Sequence, residues 1–320
     1  LEALAATLRA SPGFAHKRDI EGVLPALRGS APSRIAVGDD CAAIPDGDGY
    51  LLFAIEGFLN EFVEREPWFA GYCGVMVNVS DIHAMGGRPT AVVDALWSRG
   101  GAAVTPILEG MAAASAAYGV PIVGGHSNRR TDREQLSVAI VGRARRLLTS
   151  FDARPGQHLV AAIDLRGRFQ EPYAYWNASL GAPAERLRAD LEILPALAEE
   201  GLAAAAKDIS MAGVVGTALM LLECSGIGAV IDVDRVPRPD GVDLARWLSA
   251  FPSYGFLLSV ADEHLDAVLA RFAARGIASA AIGRTHAGRA VELRRGDKLA
   301  LLWDFDKEAF IGCHQGEHHA

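Results

Sequence analysis

The sequence lacks the short motifs by which common nucleotide-binding and hydrolytic enzymes are recognised. It contains no Gly-x-x-x-x-Gly-Lys-Ser/Thr segment and no Gly-x-Gly-x-x-Gly segment after a strand, which argues against a P-loop protein and a Rossmann protein. A Gly-x-Ser-x-Gly segment is also absent, so a serine hydrolase of that type has no support. Any nucleotide chemistry in this chain must therefore rest on another arrangement of residues.

Cysteine is scarce, and basic residues are fewer than acidic ones. The four cysteines, Cys41, Cys73, Cys224 and Cys313, show no paired spacing. This pattern argues against a disulfide framework and a zinc site, and it is typical of a reducing cytosol. Because the formal net charge is −8, the chain repels polyanions in general, and we expect no nucleic acid as a partner.

Long hydrophobic runs are missing as well. The longest apolar stretches, such as Leu299–Trp303, have the length of a strand, whereas a membrane-spanning helix needs roughly 20 residues. The first ten residues are typical of an amphipathic helix and lack the basic-then-apolar order of a signal peptide. We therefore expect a cytoplasmic protein that has no membrane partner.

A chain of 320 residues is long enough for two ordinary domains. The basic, turn-rich segment Arg143–Gly156 is the best boundary, which gives domains at 1–150 and 151–312 and a tail at 313–320. Both halves alternate strands with helices, so each is expected to be α/β or α+β.

Local patterns place several elements in the first half. A helix is predicted to begin at Pro67 and to end at Gly86-Gly87, with a strand after it at Ala91–Trp97. Earlier in the chain, strands are expected at Ile35–Val37 and Leu51–Ile55. A polar loop is predicted at residues 125–130, between two further strands.

Acidic and polar side chains recur at the ends of these elements, where an apolar scaffold does not require them. They are Asp39, Asp40, Glu56, Asn78, Asp81, His126 (which follows Gly124 and Gly125) and Asp208. Carboxylates that converge from different elements repel one another unless a cation lies between them, and Mg²⁺ prefers such hard oxygen ligands. Taken singly, each residue has a simpler interpretation, such as a turn at Asp39-Asp40 or a helix N-cap at Asp208.

Asp81 is the most informative of these carboxylates. It lies near the C-terminal end of the predicted helix, where the helix dipole disfavours a carboxylate by roughly 0.3–1 kcal/mol. A cation or a hydrogen-bond donor is therefore expected beside it. A different hypothesis makes Cys41 the nucleophile of a thiol hydrolase, although a structural cysteine is the simpler interpretation.

Four segments together resemble a known superfamily. Residues 38–44 (Gly-Asp-Asp-Cys-Ala-Ala-Ile) are similar to a segment shared by thiamine-monophosphate kinases, selenophosphate synthetases and the hydrogenase-maturation dehydratase HypE. Residues 77–89 (Val-Asn-Val-Ser-Asp-Ile-His-Ala-Met-Gly-Gly-Arg-Pro) resemble the most distinctive signature of these proteins. Residues 124–127 (Gly-Gly-His-Ser) and 207–210 (Lys-Asp-Ile-Ser) resemble two more of their segments, so the likeness spans most of the chain in the right order. The chain thus looks like a relative of the aminoimidazole-ribonucleotide-synthetase (AIR synthase, PurM-like) superfamily.

The resemblance implies a two-domain PurM-like α+β / α/β fold. An N-terminal mixed sheet would form a barrel with its twin in a homodimer, and an α/β domain would follow it. ATP and Mg²⁺ are the implied cofactors. The implied metal ligands are Asp39, Asp40, Glu56, Asp81 and Asp208. The implied nucleotide-binding residues are Asn78, Gly124, Gly125, His126, Arg129 and Arg130.

Asp81, His126 and Lys17 are the implied catalytic residues, with Lys17 expected to contact the γ-phosphate. His126 would act as an acid or base, or would hydrogen-bond a phosphate oxygen. Arg129, Arg130 and Arg133 would either neutralise phosphate or form a solvated loop.

The function implied is an ATP- and Mg-dependent kinase or synthetase that acts on a small molecule. Two departures support an alternative. Phe14-Ala15-His16-Lys17 has no cysteine before the lysine, unlike selenophosphate synthetases, and residues 208–213 replace the corresponding run of the thiamine-phosphate kinases. The alternative is a nucleotide-binding partner or assembly protein that has lost turnover.

Overall fold

The computed structural model of the protein describes residues 1–23, 37–100 and 103–313. They form two compact units, each assembled from separate stretches of the chain. The five-stranded unit comprises Asp40–Leu147 and Gly181–Glu199, and the seven-stranded unit comprises Leu1–Asp39, Leu148–Leu180 and Glu200–Ala320. The domain boundary at residue 150 stays a prediction. The tail from residue 314 onward and the first two residues of the strand expected at 35–37 lie outside the described residues.

The strands are β1 (Ala42–Asp46), β2 (Gly49–Gly57), β3 (Arg88–Trp97), β4 (Ile122–Asn128), β5 (Gln135–Ala144), β6 (His158–Ile163), β7 (Arg168–Phe169), β8 (Trp176–Asn177), β9 (Ala205–Asp208), β10 (Gly228–Asp232), β11 (Gly255–Val260), β12 (Ala278–His286), β13 (Ala290–Arg295) and β14 (Lys298–Asp304). The helices are α1 (Glu2–Arg9), α2 (Pro12–Arg18), α3 (Asn60–Arg65), α4 (Pro67–Ala84), α5 (Val104–Tyr118), α6 (Ala184–Leu191), α7 (Ile193–Glu200), α8 (Gly213–Ser225), α9 (Leu244–Leu248) and α10 (Leu265–Ala273). Short 3₁₀ turns occur at Asp19–Gly22, Val233–Arg235 and Asp262–His264.

The five-stranded unit is a mixed sheet with the strand order β1-β2-β5-β3-β4. Strands β3 and β4 are parallel, and the remaining pairs are antiparallel. Helix α4 packs against α5 and against β5 and β2. Every residue of α4 from Phe69 to Ala84 is buried, including the polar residues near its C-terminal end. The predicted helix from Pro67 is therefore confirmed.

The two faces of this sheet differ in character. Leu52 and Ala54 of β2 are buried on the face that α4 covers, whereas the alternate residues Phe53 and Ile55 are 44% and 64% exposed. Ile55 pairs across the sheet with Ala139 and so lies in one row with Val93 of β3. The outer face is thus an apolar surface open to solvent in this chain.

The seven-stranded unit is a second mixed sheet, with the order β14-β13-β10-β12-β6-β11-β9. Only β10 and β13 are parallel among its described pairs. Helix α8 is buried from Gly213 to Cys224 and belongs to the main hydrophobic core, together with Phe14 of α2 and Leu8 of α1. The two mixed α/β units confirm the predicted fold class. Among the described residues, no helix is both long and apolar enough to cross a membrane.

Two local predictions are wrong. Residues 125–128, expected in a loop, continue strand β4 as far as Asn128. Pairing with β3 supplies their backbone hydrogen bonds, and polar side chains are tolerated because β4 is an exposed edge strand. Asp208 ends strand β9, and the N-cap of α8 is Ala212, so Asp208 is not the N-cap of this helix.

We predict that His83 makes the protein less stable in mild acid. Burial lowers the pKa of this α4 side chain from 6.5 to about 4, against the opposing effect of a hydrogen bond to the Val79 carbonyl. Between pH 4 and pH 6.5 the His83 imidazole is therefore protonated in the unfolded chain and neutral in the folded chain. The free energy of unfolding should therefore be fully retained above pH 6.5 and fall as the pH drops to 4, by about 3 kcal/mol from this residue.

Chemical denaturation at several pH values measures this effect. His83→Gln should flatten the dependence between pH 6.5 and 4 relative to wild type, while His16→Gln, which changes an exposed histidine, should keep the wild-type slope. Equal slopes for wild type and His83→Gln would contradict the prediction.

Candidate active site

Two predicted metal ligands approach each other within the five-stranded unit. Asp40 stands just before β1, and Asp81 lies in the last turn of α4. Carboxylate oxygens of the two residues lie within 4.8 Å of one another. Asp81 is only 4% exposed, and the buried helix that carries it leaves it little freedom to move away. Two ionised carboxylates so close together repel each other unless a cation or a donor is shared between them.

A row of paired residues crosses the helix-covered face of the same sheet. It runs from Glu56 on β2 through Val138 on β5 and Asp94 on β3 to Gly125 on β4. A Cβ atom on Gly125 would overlap the Asp94 carboxylate, so the glycine leaves the space that this carboxylate occupies. Burial raises the pKa of Asp94. The row therefore carries two carboxylates, of which only Glu56 was predicted.

Asn78 lies one turn before Asp81 and is completely buried. Its amide nitrogen donates hydrogen bonds to the carbonyls of Gly74, at 2.8 Å, and Val138, at 3.0 Å. The second bond ties α4 to strand β5 at Val138, the residue that pairs with Glu56. The nucleotide-binding role of Asn78 stays a prediction.

His126 lies on the opposite face of the sheet. Alternation along β4 turns Gly125 towards the helices and His126 outward, in register with Ala95. The exposed imidazole ring stands 6.1 Å from the Trp97 ring, centroid to centroid. Within one chain, His126 is therefore separated from the row of Glu56 and Asp94, and its catalytic role stays a prediction.

The arginines after β4 are exposed. Arg133 pairs with Glu64 at 3.2 Å, and Arg99, from the end of β3, pairs with the same carboxylate at 3.1 Å. Arg129 and Arg130 lie in the loop between β4 and β5, and the Arg130 N–H donates to the Asn128 side chain at 2.9 Å. The nucleotide-binding role of Arg129 and Arg130 stays a prediction.

Asp39 has a different environment from its neighbour Asp40. It belongs to the seven-stranded unit, where its carboxylate accepts hydrogen bonds from the Ser150 N–H at 2.7 Å and the Ser150 hydroxyl at 2.6 Å. The Lys207 ammonium stands 3.8 Å away, and the side chains of Lys207 and Asp39 are only 4% and 3% exposed. A buried ion pair with these additional donors fixes the carboxylate in place.

Asp208 and Lys17 also lie in the seven-stranded unit. Asp208 follows Lys207 at the end of β9, is 1% exposed, and accepts a hydrogen bond from the Ser253 hydroxyl at 3.1 Å. Ser253 has a positive φ of 50°, a conformation that costs a non-glycine residue energy and is often found at functional sites. Lys17 lies in the last turn of α2. The metal-binding role of Asp208 and the catalytic role of Lys17 stay predictions.

The thiol-hydrolase hypothesis gains no support, because Cys41 is buried, with 4% of its surface exposed. Sequence reasoning missed the roles of two charged residues, Asp94 in the five-stranded unit and Lys207 in the seven-stranded unit. Asp94 is a lone acidic residue inside an apolar strand, and that was the available signal. Lys207 stood inside a recognised segment, but its pairing with a residue 168 positions earlier cannot be seen in the sequence.

Comparisons with family models and with known proteins find relatives over most of the chain. Residues 38–144 match the family model for the N-terminal domain of AIR synthase related proteins, and residues 175–296 match the model for their C-terminal domain. An uncharacterized protein of Synechocystis is 46% identical over 95% of this chain and 96% of its own length. A thiamine-monophosphate kinase of Pyrococcus abyssi is 27% identical over 84% of this chain and 89% of its own.

A solved structure has the same fold. The Thermotoga maritima protein PurL, solved in complex with ATP, superposes with a TM-score of 0.77 at 20% identity. The superposition covers 97% of this chain and 52% of PurL. This chain thus spans about half of the larger protein, and at this identity the likeness concerns the fold alone.

We predict that Lys207 is essential to the stability of the seven-stranded unit. Lys207→Met leaves the buried Asp39 carboxylate without its cation, which should lower the free energy of unfolding by about 3–5 kcal/mol. Denaturant titration measures the loss. Adding Asp39→Asn to the same chain should restore part of the stability, because the unpaired charge is removed.

Lys307→Met is the matched control for this substitution. Lys307 pairs with Asp304 on the surface and is 74% exposed, so its removal should leave the stability unchanged. Similar losses for Lys207→Met and Lys307→Met would show that the buried pair has no special role.

Proposed function

Because this chain belongs to the AIR synthase-related protein family, we propose that it is an ATP- and magnesium-dependent kinase or synthetase. Its substrate is a small molecule that accepts a phosphoryl group. Two relatives support ATP as the nucleotide: one is named a thiamine-monophosphate kinase, and PurL was solved in complex with ATP. The observation that carries the proposal is the approach of Asp40 and Asp81 in the five-stranded unit.

The geometry of this carboxylate pair fits Mg²⁺. An octahedral Mg²⁺ with ligands at about 2.1 Å holds two of its oxygens roughly 3 to 4 Å apart. Oxygens that lie within 4.8 Å of one another need little movement to reach that separation. Magnesium bound there would neutralise charge on the phosphate oxygens, which is the main requirement of phosphoryl transfer.

The protein's own residues would position the nucleotide. Asn78 anchors α4 to β5 and so fixes the direction of Asp81 one turn later. Gly125 leaves room for the Asp94 carboxylate beside the edge strand β4. Asp94 and Glu56 face the same side of the sheet, and we propose that they orient the bound nucleotide or the acceptor.

We also propose that the protein is a homodimer. The outer face of the five-stranded sheet presents Phe53, Ile55 and Val93 to solvent, and such a contiguous apolar face is typical of an interaction surface. A second copy of the chain is the proposed occupant, since a sheet face that packs on its twin forms the barrel that the family resemblance implies. His126 lies on this face and would be enclosed by the partner.

Asp81→Asn should weaken magnesium-dependent binding of a non-hydrolysable ATP analogue by about tenfold or more, equivalent to at least 1.4 kcal/mol. The variant loses one of two anionic ligands while the shape of the side chain is kept. Isothermal titration calorimetry, with and without Mg²⁺, measures the binding. Without Mg²⁺ the Tm of the variant should not fall below that of wild type, because the repulsion between two carboxylates is relieved.

Asp48→Asn is the control, since Asp48 is an exposed acidic residue in the β1–β2 turn of the same unit. It should bind the analogue as wild type does. If wild type itself shows no magnesium-dependent binding and no turnover with any small phosphoryl acceptor, the proposed function is wrong.

For the homodimer, Ile55→Glu should produce monomers. The substitution places like charges opposite each other across a symmetric interface, which costs several kcal/mol and weakens association by about a hundredfold or more. Sedimentation velocity over a range of concentrations measures the association. Leu299→Glu, at a 52%-exposed position on β14, should remain dimeric, and a wild-type chain that sediments as a monomer throughout would refute the proposal.

A further inference from the structure

Two buried thiols of the seven-stranded unit point at the same short piece of backbone. Cys224, near the end of α8, donates its S–H to the Gly38 carbonyl at 3.6 Å. Cys313, in the segment after β14, donates its S–H to the Val37 carbonyl at 3.0 Å. Residues 37 and 38 immediately precede the acidic pair Asp39-Asp40, so the two thiols hold the backbone that leads into it.

The two sulfur atoms also pack on one α-carbon. Gly38 has a φ of +123°, which disfavours any side chain, and a Cβ atom there would overlap the Cys313 sulfur. The same Cβ position lies 3.7 Å from the Cys224 sulfur. Glycine therefore allows both sulfur atoms to approach this point and, through it, each other.

Hydrogen bonds join the two segments that carry Cys224 and Cys313, helix α8 and the segment after β14. The neighbour of Cys224, Glu223, is completely buried, and its carboxylate accepts hydrogen bonds from the N–H groups of Phe310, at 2.9 Å, and Ile311, at 2.7 Å. This carboxylate fixes the segment that carries Cys313 against α8. The thiols thus form a positioned pair that the proposed function does not use.

We propose that Cys224 and Cys313 are an oxidisable pair, and that closing a disulfide between them releases the backbone of residues 37–39. Both S–H donors are lost in the reaction, so the Val37 and Gly38 carbonyls lose their partners. The consequence for nucleotide binding at Asp40 rests on the proposed function. The release of the segment does not depend on it.

A hydroperoxide is the oxidant required. The Cys313 thiolate attacks the peroxide, its sulfur is oxidised to a sulfenic acid, and the first water leaves after protonation. The Cys224 sulfur then displaces the hydroxyl group of the sulfenic acid, which departs as a second water when the S–S bond forms. Two thiols lose two electrons and two protons in total, and hydrogen peroxide is reduced to two waters. A thiolate at Cys313 accepts the Cys224 S–H in place of the Gly38 carbonyl, and this hydrogen bond lowers the pKa of Cys313, which favours Cys313 as the attacking thiol.

The full-length protein is treated with hydrogen peroxide and then analysed in two ways. Peptide mapping under non-reducing conditions should find Cys224 joined to Cys313. Amide hydrogen exchange of residues 37–41 should become about tenfold faster, as expected for the loss of hydrogen bonds to two carbonyls, and dithiothreitol should reverse it. Magnesium-dependent binding of the ATP analogue should weaken by a similar, about tenfold, factor.

Two variants provide the comparison. Cys313→Ser cannot form the disulfide, and peroxide should leave the exchange of residues 37–41 unchanged in it. Cys73→Ser removes a buried thiol of α4 and should respond to peroxide as wild type does. The inference is overturned if mapping finds Cys224 and Cys313 unjoined or joined to Cys41 instead, or if the disulfide forms while exchange stays the same. If exchange responds but the reduced protein binds no magnesium nucleotide, only the proposed function fails.

Discussion

Two carboxylates stand close together in the five-stranded unit. Asp40 and Asp81 come from separate elements, yet their oxygens lie within 4.8 Å of one another. With an effective dielectric constant of about 20, two unit charges at that distance repel by roughly 3 kcal/mol, a considerable part of the roughly 5–15 kcal/mol that stabilises an ordinary domain. The α4 helix cannot relieve this repulsion by moving, because it is buried from Phe69 to Ala84. A divalent cation shared between two such carboxylates converts their repulsion into an attraction, so a metal bound there would stabilise this unit.

Asp39 and Asp40 show how two adjacent carboxylates take opposite roles. Asp39 is buried with Lys207 and receives two hydrogen bonds from Ser150, so its charge is balanced by the protein itself. Asp40 belongs to the other unit and stands beside another carboxylate. The first arrangement stabilises the folded chain, whereas the second brings like charges together; the metal-binding roles of both Asp39 and Asp40 stay predictions. Because both residues have the same side chain and adjacent positions, no pattern in the sequence distinguishes them.

The long helix and the family-like segments were predictable from the sequence, whereas the pairs of residues that face each other across strands were not. The helix from Pro67 to Ala84 has an N-terminal proline, an apolar body and a terminal Gly-Gly pair, and each of these signals is local. After Val123 the residues of β4 show no apolar pattern typical of a strand. They form a strand because they pair with β3. For the same reason Asp94 was missed, because its place opposite Gly125 depends on a register that includes a bulge between Val92 and Val93. The sequence therefore identifies the segments that carry the candidate residues but not how their side chains face one another.

Burial of a charged side chain does not by itself mark a functional site in this protein. Glu223 is as buried as any carboxylate here, yet backbone N–H groups of the C-terminal segment satisfy it, so its role is to hold that segment. Asp39 is satisfied by a lysine and a serine and is explained in the same way. Asp40 and Asp81 differ because their carboxylate oxygens also lie within 4.8 Å of one another, and like charges at that distance repel. Because stability is often sacrificed where activity needs a strained arrangement, this contact is the reason we propose the site at this end of α4.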